Sequence, residues 1–291
     1  MTSSKDIQER QKISKSESKS GLSRKDFLFS AVGLFALAGG LTRNGFANTT
    51  LAESLNGTRM AILYDSSKCI GCRLCEAACR RKNHLSQEIE PKELSKKTWT
   101  IIQAISYGKK PDLLLKRQCM HCTDASCVAV CPTGAAARKG EYVVINQDWC
   151  IGCGYCEASC PFNVPHTSPP KGTAEKCTFC YDIVKTGSKP ACVEACPIGA
   201  LKFGARTDLL TTAKTWVHKL VEIGWPEAQL YGENELGGLG MIYILLKPPA
   251  FYGLPEQPRL ATKNVLVQWA SGSLTAAALV APLWFLFKRI S

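Results

Sequence analysis

The chain has 291 residues, of which 45% are hydrophobic, so it can form the core of one or two globular domains. Its formal net charge of +12 is compatible with a nucleic-acid or anionic-membrane partner. Its 16 cysteines are far above the usual frequency. A framework of eight disulfides would be the default for a short exported chain, but it does not suit this length.

The N-terminal region predicts an export signal covering residues 1–47. Residues 1–22 are rich in Ser and Lys, which predicts disorder. A basic run, an apolar segment and a small-residue site ending at Ala47 follow, as in secretory signals. The run at 23–28 resembles a twin-arginine signal, with Lys25 in place of the second arginine. The alternative is an uncleaved anchor, but the apolar segment is short and glycine-rich for one.

The first cysteine motif follows a predicted strand at residues 60–65. Its four cysteines are Cys69, Cys72, Cys75 and Cys79. Gly71 lets the loop pass close to a bound group and turn backbone N–H groups toward sulfur. Arg80 stands where the other three motifs have proline. Residues 81–117 are polar and are interpreted as an insertion that carries one strand at 99–105.

Two motifs at the centre of the chain carry the strongest signal. One has the spacing C-x2-C-x2-C-x3-C-P of bacterial ferredoxins, and the other has the same run with two residues inserted before its third cysteine. Their members are Cys150, Cys153, Cys156 and Cys160, and Cys119, Cys122, Cys127 and Cys131. A strand is predicted between them at residues 142–145.

This spacing suits a [4Fe–4S] cluster, which takes three thiolates from one tight loop and a fourth from elsewhere. The fourth cysteine of each motif follows a helical turn and ligates the other cluster of the pair. Two clusters in one pseudo-symmetric unit are therefore predicted for the central motifs. Structural zinc is the main alternative, but a zinc site has no need of an exchanged fourth ligand.

The fourth motif contains Cys177, Cys180, Cys192 and Cys196. Residues 181–191 separate its second and third cysteines. This loop is a candidate contact for a partner or a tolerated surface insertion. The sixteen cysteines now form four groups of four with none left over. If the central motifs pair with each other, the first must pair with the fourth, in a nested arrangement. Sequential pairing, first with second and third with fourth, stays open.

The region after the fourth motif predicts regular structure. A helix capped by Thr207 or Asp208 should run through Leu220 with an apolar stripe for core packing. The other predicted elements are a strand at 198–204, a glycine-rich turn at 233–240, a strand at 241–246 and an extended proline-rich linker at 248–258.

Residues 265–287 form a run of 23 residues without a charge. A helix of that length crosses a bilayer about 30 Å thick. Trp269 and Trp284 lie near its two ends, and Lys288 and Arg289 follow, which places the C-terminus in the cytoplasm. The cysteine-rich part would then lie on the outer (periplasmic) face. A buried amphipathic helix is the alternative.

Together these features resemble a known family. They include the four-motif order, the entry Gln118-Cys-Met-His-Cys122, the exit Cys160-Pro-Phe-Asn-Val-Pro165, the signal and the single C-terminal span. The chain is similar over residues 58–260 to four-cluster iron–sulfur electron-transfer subunits of membrane-bound oxidoreductases. Its own signal and span, with residues 230–235, look most like the subunit of quinone-linked hydrogenase-2.

The resemblance implies an α+β fold built from two bacterial-ferredoxin-like dicluster modules, one nested in the other. The four-cluster domain would cover 58–204, with a central module at about 115–165 and a split module at 60–80 plus 172–204. A region of helix, strand and linker at 205–260 and the transmembrane helix at 265–287 would follow.

It also implies four [4Fe–4S] clusters, with the sixteen cysteines as their iron ligands. The sets are Cys69, Cys72, Cys75 and Cys196 for cluster 1; Cys79, Cys177, Cys180 and Cys192 for cluster 2; Cys119, Cys122, Cys127 and Cys160 for cluster 3; and Cys131, Cys150, Cys153 and Cys156 for cluster 4. Each oxidised cluster carries roughly −2, so four would reduce +12 to roughly +4. Much of the basic charge then balances the clusters, and no nucleic-acid partner is expected.

The function implied is an electron relay without catalysis of its own. The expected partners are a catalytic subunit, first of all a NiFe hydrogenase, a quinone-reactive membrane subunit, and membrane lipid. The alternative is the beta subunit of a formate dehydrogenase or of another molybdopterin oxidoreductase acting on sulfur compounds or sulfoxides. A self-contained reductase is disfavoured because the sequence has no G-x-G-x-x-G, P-loop or H-E-x-x-H motif.

The four histidines and Arg73 are the remaining residues that we consider for a role at the clusters. His121 and Arg73 lie inside cysteine loops, where each either tunes a cluster potential or has an ordinary packing or surface role. His84, His166 and His218 are scattered and carry no ligand spacing.

Overall fold

The computed structural model describes residues 59–86, 91–108, 110–167 and 172–262. The predicted signal at 1–47 and the predicted transmembrane helix at 265–287 lie outside these residues. Within the described ranges, none of the helices has the length and apolar character needed to cross a membrane.

The described chain alternates short strands with short helices, in agreement with the predicted α+β class. The strands are β1 (Met60–Asp65), β2 (Ile101–Tyr107), β3 (Lys110–Arg117), β4 (Ala136–Lys139), β5 (Tyr142–Ile145), β6 (Leu201–Ala205), β7 (Gln229–Tyr231) and β8 (Met241–Leu245). The α-helices are α1 (Leu74–Lys82), α2 (Ser126–Ala129), α3 (Tyr155–Ala158), α4 (Tyr181–Val184), α5 (Ala191–Glu194) and α6 (Arg206–Glu222). Two 3₁₀ turns cover Glu235–Gly237 and Pro249–Tyr252.

A four-stranded sheet in the order β6-β1-β8-β7 joins distant parts of the sequence. Strand β1 is antiparallel to β6 and parallel to β8, and β7 is antiparallel to β8. Every residue of β8 is buried, which explains its continuous apolar sequence. Strand β1 leads into the first cysteine motif and strand β6 follows the fourth. Their pairing in this sheet therefore brings the two motifs together.

The segment 81–117 is more than the polar insertion predicted. Its strand begins at Ile101 rather than at residue 99, and it pairs with a second strand, β3, that the sequence analysis missed. Strand β3 escaped notice because three consecutive leucines break the alternation of a half-buried strand. Leu113 and Leu115 are buried in the main core, so this hairpin packs against the cysteine modules.

Helix α6 confirms the predicted helix and its packing role, but its start differs. Neither Thr207 nor Asp208 caps it; both lie inside the helix, which begins at Arg206 without a side-chain cap. The helix follows β6 directly, and the Arg206 N–H donates to the Arg59 carbonyl at 2.7 Å. This backbone bond replaces the expected cap. Leu209, Ala213 and Leu220 are buried on the face toward the sheet.

The segment 248–258 is packed rather than an extended linker. It forms the 3₁₀ turn Pro249–Tyr252, and Tyr252 and Leu254 are buried in the main core. The Tyr252 hydroxyl accepts a hydrogen bond from the Leu246 N–H at 3.1 Å. The prolines suggested a linker, but the aromatic and aliphatic residues between them decide the packing. The short strands β4 and β7 were also missed, because Ala-Ala-Arg-Lys and Gln-Leu-Tyr carry little strand signal.

Helix α6 offers a direct test of this packing. Leu220 is 2% exposed, whereas the next residue, Val221, is 42% exposed. We expect Leu220→Ala to lower the free energy of unfolding by about 2–5 kcal/mol, because it leaves a cavity in the core. Val221→Ala should change it by no more than about 0.5 kcal/mol. Denaturant unfolding of the two variants, followed by circular dichroism, measures both. Equal losses would contradict the assigned face.

Candidate iron–sulfur site

Four cavities in the described chain are each lined by four cysteines, and together they use all sixteen. Cavity 1 is lined by Cys69, Cys72, Cys75 and Cys196. Cavity 2 is lined by Cys79, Cys177, Cys180 and Cys192. Cavity 3 is lined by Cys119, Cys122, Cys127 and Cys160. Cavity 4 is lined by Cys131, Cys150, Cys153 and Cys156.

These groupings are the nested sets that the family resemblance implied. The structure places Cys196 of the fourth motif with the first triplet, where sequential pairing would place Cys131. The physical reason is the pairing of β1 with β6, which brings the first and fourth motifs side by side. Helix α1 then carries Cys75 into cavity 1 and Cys79 into cavity 2.

The cavities suit a polynuclear cluster in the chemistry of their lining, since four thiols line each of them. All sixteen cysteines are free thiols, so the disulfide alternative fails. In the described ranges, no three His, Cys, Asp or Glu side chains converge on a point where one metal ion would sit. The thiols surround a volume, as a cubane requires, whereas zinc draws four ligands to about 2.3 Å.

The cysteine loops use left-handed backbone to turn toward these cavities. Gly71 has φ +72°, and Arg73, two residues later, has φ +57°. In the second motif the position equivalent to Gly71, directly before the second cysteine, is occupied by His121, with φ +49°. A side chain in this conformation is strained, and such strain is typical of residues held at a functional site. The predicted role of Gly71 in loop closure therefore matches its conformation.

Backbone N–H groups donate to several of the sulfur atoms. Ala136 donates to Cys131 Sγ at 3.3 Å, and Ala174 donates to Cys150 Sγ at the same distance. Burial tends to raise the pKa of the Cys131 thiol, but the hydrogen bonds outweigh it and the pKa is lowered. Such bonds stabilise negative charge on sulfur and raise the potential of a bound cluster.

Most of the other thiols are held in the protonated form when no metal is bound. Burial raises the pKa of Cys75 to about 11 and those of Cys79 and Cys127 to about 12. Thiolate is the form that ligates iron, so cluster insertion must release protons. Acid conditions therefore favour cluster loss.

The four cavities follow one another as a row. Cavities 1 and 2 share α1, as described. Cavities 2 and 3 meet at Lys176 and Cys177, since Lys176 lines cavity 3 and the adjoining Cys177 lines cavity 2. Cavities 3 and 4 share the turn that carries Cys127 and Cys131. The order along the row is thus 1, 2, 3, 4.

The two ends of the row are open to solvent. Cys72 of cavity 1 and Cys153 of cavity 4 are exposed, whereas the cysteines of cavities 2 and 3 are buried or half-buried. Each end also presents an apolar side chain on the cavity wall. Ile70 is 65% exposed at cavity 1, and Ile151 is 60% exposed at cavity 4. Exposed apolar residues beside exposed ligands are typical of contact surfaces.

His121 has a packing role in the described structure. It is fully buried, its Nδ1 accepts a hydrogen bond from the Val143 N–H at 3.2 Å, and its ring lies edge-to-face on Phe179 at 4.9 Å. Burial, with repulsion from Lys176 and Arg138, holds the pKa of His121 well below its usual range. It is therefore neutral at physiological pH. Of the other candidates, Arg73 lines cavity 1, and none of His84, His166 and His218 lines a cysteine cavity.

A group of buried polar side chains that no sequence motif indicates lies beside the cavities. The Glu76 carboxylate accepts a hydrogen bond from the Ile102 N–H at 2.6 Å and lies 3.7 Å from the Arg80 guanidinium. The hydrogen bond attaches the β2–β3 hairpin to α1. Arg80, which replaces the proline of the other motifs, contacts the same carboxylate. Lys116 and Lys176 are also buried. Nothing in the sequence marks these two lysines as buried, because a lysine is usually exposed.

The glycine-rich turn closes over the loop of cavity 3. The Gly240 N–H donates to the Met120 carbonyl at 2.9 Å, and the Thr123 N–H donates to the Gly238 carbonyl at 2.9 Å. A Cβ at Gly240 would approach Cβ of His121 to 2.9 Å, so only glycine fits there without movement. The region after residue 205 is therefore part of the cysteine domain and supports its central module.

Comparison with known proteins identifies the family. Two models described as 4Fe-4S dicluster domains match, at residues 68–135 and 112–206. The chain is 37% identical over 238 residues to the iron–sulfur subunit of the nitrate-inducible formate dehydrogenase of Escherichia coli (strain K12), covering 76% of this chain and 81% of the relative. The chain belongs to this family of iron–sulfur subunits.

Other relatives support the same class. The formate dehydrogenase-O iron–sulfur subunit of Escherichia coli (strain K12) is 36% identical over 69% of this chain and 73% of its own. Protein NrfC of the same organism is 39% identical over 68% of this chain and 90% of its own. The prediction of iron–sulfur clusters and of an oxidoreductase subunit is confirmed, and the zinc interpretation is wrong. These names support the formate dehydrogenase alternative and give no support to the hydrogenase-2 assignment.

The ligand grouping can be tested by pairs of single substitutions. We expect Cys72→Ser and Cys196→Ser to alter the same cluster signal in electron paramagnetic resonance, because both thiols line cavity 1. Cys131→Ser and Cys153→Ser should alter a second signal together, since both line cavity 4. Sequential pairing makes the opposite prediction, that Cys131→Ser disturbs the cluster disturbed by Cys72→Ser.

Proposed function

We propose that this chain is the electron-transfer subunit of a membrane-bound oxidoreductase of the formate dehydrogenase type, carrying four [4Fe–4S] clusters. Cavities 1 to 4 would hold clusters 1 to 4, with the sixteen lining cysteines as ligands. The observation that carries the proposal is the row of four cysteine-lined cavities with exposed ends. The clusters supply one-electron chemistry when bound.

The chain's own residues hold, space and shield the clusters. The buried cysteines of cavities 2 and 3 exclude water from the middle of the row. The exposed ends at cavities 1 and 4 provide separate contact surfaces, so that one end can receive electrons while the other delivers them. The subunit would carry out no bond chemistry and would depend on a catalytic partner.

We propose a formate dehydrogenase catalytic subunit, of the molybdopterin class, as the first choice of partner. The support is the similarity to formate dehydrogenase iron–sulfur subunits over most of the chain. A NiFe hydrogenase becomes the second choice, since it rested on the predicted signal, the predicted span and residues 230–235. The other partner would be a quinone-reactive membrane subunit.

The location proposed is the outer face of the cytoplasmic membrane. It depends on the twin-arginine-like signal at 1–47 and on the uncharged run at 265–287, both known from the sequence alone. The signal suits a protein whose clusters are assembled before export. The run would anchor the subunit, contact lipid and place the C-terminus in the cytoplasm.

The basic test is the cluster content of the purified chain. Four [4Fe–4S] clusters require about sixteen iron atoms per chain and four interacting centres in electron paramagnetic resonance after reduction. Two centres, or zinc in place of iron, would refute the proposed relay.

The two ends can be tested separately in the assembled complex. Ile70→Asp at cavity 1 and Ile151→Asp at cavity 4 should keep the clusters but weaken contact with one partner each. We expect at least about a tenfold loss of electron transfer with that partner, as for loss of an apolar interface anchor. Ile223→Asp is the matched control, because Ile223 is exposed but lines none of the four cavities. Equal effects from all three variants would contradict the assignment of the ends.

A further inference from the structure

Two lysines are buried beside the cysteine cavities, and they are the only buried cations in the described ranges. Lys116 is 0% exposed and Lys176 is 4% exposed. Neither forms an ion pair with a carboxylate in the part of the chain that the structure describes. A buried charge without a charged partner is strongly unfavourable. Some other negative charge must therefore compensate both ammonium groups.

Lys116 lies at the junction of cavities 1 and 2. Its Nζ donates to Gln118 Oε1 at 2.5 Å and to the Thr100 hydroxyl. Gln118 lines cavity 2, and Ile102, which faces Lys116 in the β2–β3 register, lines cavity 1. Both hydrogen-bond partners are neutral, so they fix the position of the ammonium group without cancelling its charge.

The negative charge that compensates Lys116 is that of the thiolates which cavities 1 and 2 carry once iron is bound. Desolvation lowers the pKa of Lys116, but the sulfur charges outweigh it and the net pKa is raised. The contributing thiols are Cys192, Cys79 and Cys177 of cavity 2 and Cys75 of cavity 1. The ammonium group of Lys116 therefore interacts electrostatically with the cysteines of both cavity 1 and cavity 2.

Lys176 occupies the corresponding position between cavities 2 and 3. Its Nζ donates to the Val143 carbonyl and, at 3.1 Å, to the Cys177 carbonyl. Lys176 itself lines cavity 3, while Cys177 lines cavity 2. Lys176 interacts electrostatically with Cys119 and Cys127 of cavity 3 and with Cys177 of cavity 2. Cavity 2 thus has a buried cation on each side.

We propose that Lys116 and Lys176 act as positioning charges that raise the midpoint potentials of the clusters on either side of them, most of all cluster 2. This rests on the proposed four-cluster relay. Reduction adds one negative charge to a cluster, and burial away from water disfavours that charge. A fixed cation at short range offsets the penalty, because Coulomb interactions are strong where the local dielectric constant is low.

The distribution of the two lysines agrees with this role. The exposed ends of the row have water to stabilise added charge, whereas the middle does not. The cations stand at the two junctions that flank cavity 2, and no buried cation of the described chain flanks cavity 4. Without them, the buried interior would be the hardest place in the row to reduce and would block electron flow between the ends.

The test is a potentiometric titration of each cluster in the purified full-length holoprotein, followed by electron paramagnetic resonance. Lys116→Gln should lower the midpoint potentials of clusters 1 and 2, and Lys176→Gln those of clusters 2 and 3. At a fixed potential near the midpoint we expect at least a tenfold fall in the reduced-to-oxidised ratio, which corresponds to about 59 mV for one electron. Cluster 4 should not change in either variant.

Two further sets of variants separate tuning from structure. Lys116→Arg and Lys176→Arg keep the charge and should hold the potentials close to those of the unmodified chain. Lys189→Gln is the control, because Lys189 lies three residues from Cys192 but is exposed to solvent. Water and salt screen its charge, so its removal should leave all four midpoint potentials unchanged.

The outcomes separate this inference from the proposed function. A native chain with fewer than four clusters would overturn the relay itself. Four clusters with unchanged potentials in both Gln variants would overturn only the role of the lysines. If Lys116→Gln fails to retain iron, Lys116→Met fills the same apolar path without a hydrogen-bonding group. Iron loss in both, with unchanged potentials in Lys176→Gln, would assign the lysines a structural role and overturn the proposal.

Discussion

The pairing of β1 with β6 is the constraint on which the rest of the site depends. It brings together two cysteine motifs that lie far apart in the sequence, and it completes cavities 1 and 2. Strand β8 lies on the other side of β1, and its preceding turn bonds to the loop of cavity 3. One sheet therefore sets the spacing between the split module and the central module. Electron transfer along a row needs this spacing to stay constant, and a sheet with a buried central strand supplies it.

The elements that the sequence predicted are those with a strong local signal. Strands β1, β5 and β8 have short apolar sequences with clear boundaries, and α6 has a regular apolar stripe. The missed strands β3, β4 and β7 lack such a pattern, because their place is decided by pairing with a neighbour. The helix start was misplaced for a similar reason. The hydrogen bond from the Arg206 N–H to the Arg59 carbonyl replaces the side-chain cap that was expected at Thr207 or Asp208.

The cysteine ligands of the candidate site could be predicted from the sequence, but their grouping and the buried lysines beside them could not. Cysteine spacing alone identified the sixteen thiols and their chemistry, since few other sites need a triplet with an exchanged fourth ligand. The grouping of thiols across distant motifs could not be decided by spacing, because it depends on the sheet. The two buried lysines gave no local signal at all. The burial of Lys116 follows from its register in the β2–β3 hairpin and that of Lys176 from its place in the wall of cavity 3, and both exist only in the folded chain.

The nested arrangement determines the order in which the four cysteine sets are completed during translation. The ligands of cavities 3 and 4 end at Cys160, so both sets are complete before the fourth motif has left the ribosome. Cavities 1 and 2 wait for Cys196 and Cys192 although their first cysteines are made earliest. The thiols of the first motif must therefore stay reduced, without a complete ligand set, until Cys192 and Cys196 have been synthesised. A chain that ended just before Cys192 would contain the complete cysteine sets of cavities 3 and 4 but only three of the four cysteines of cavity 1 and of cavity 2.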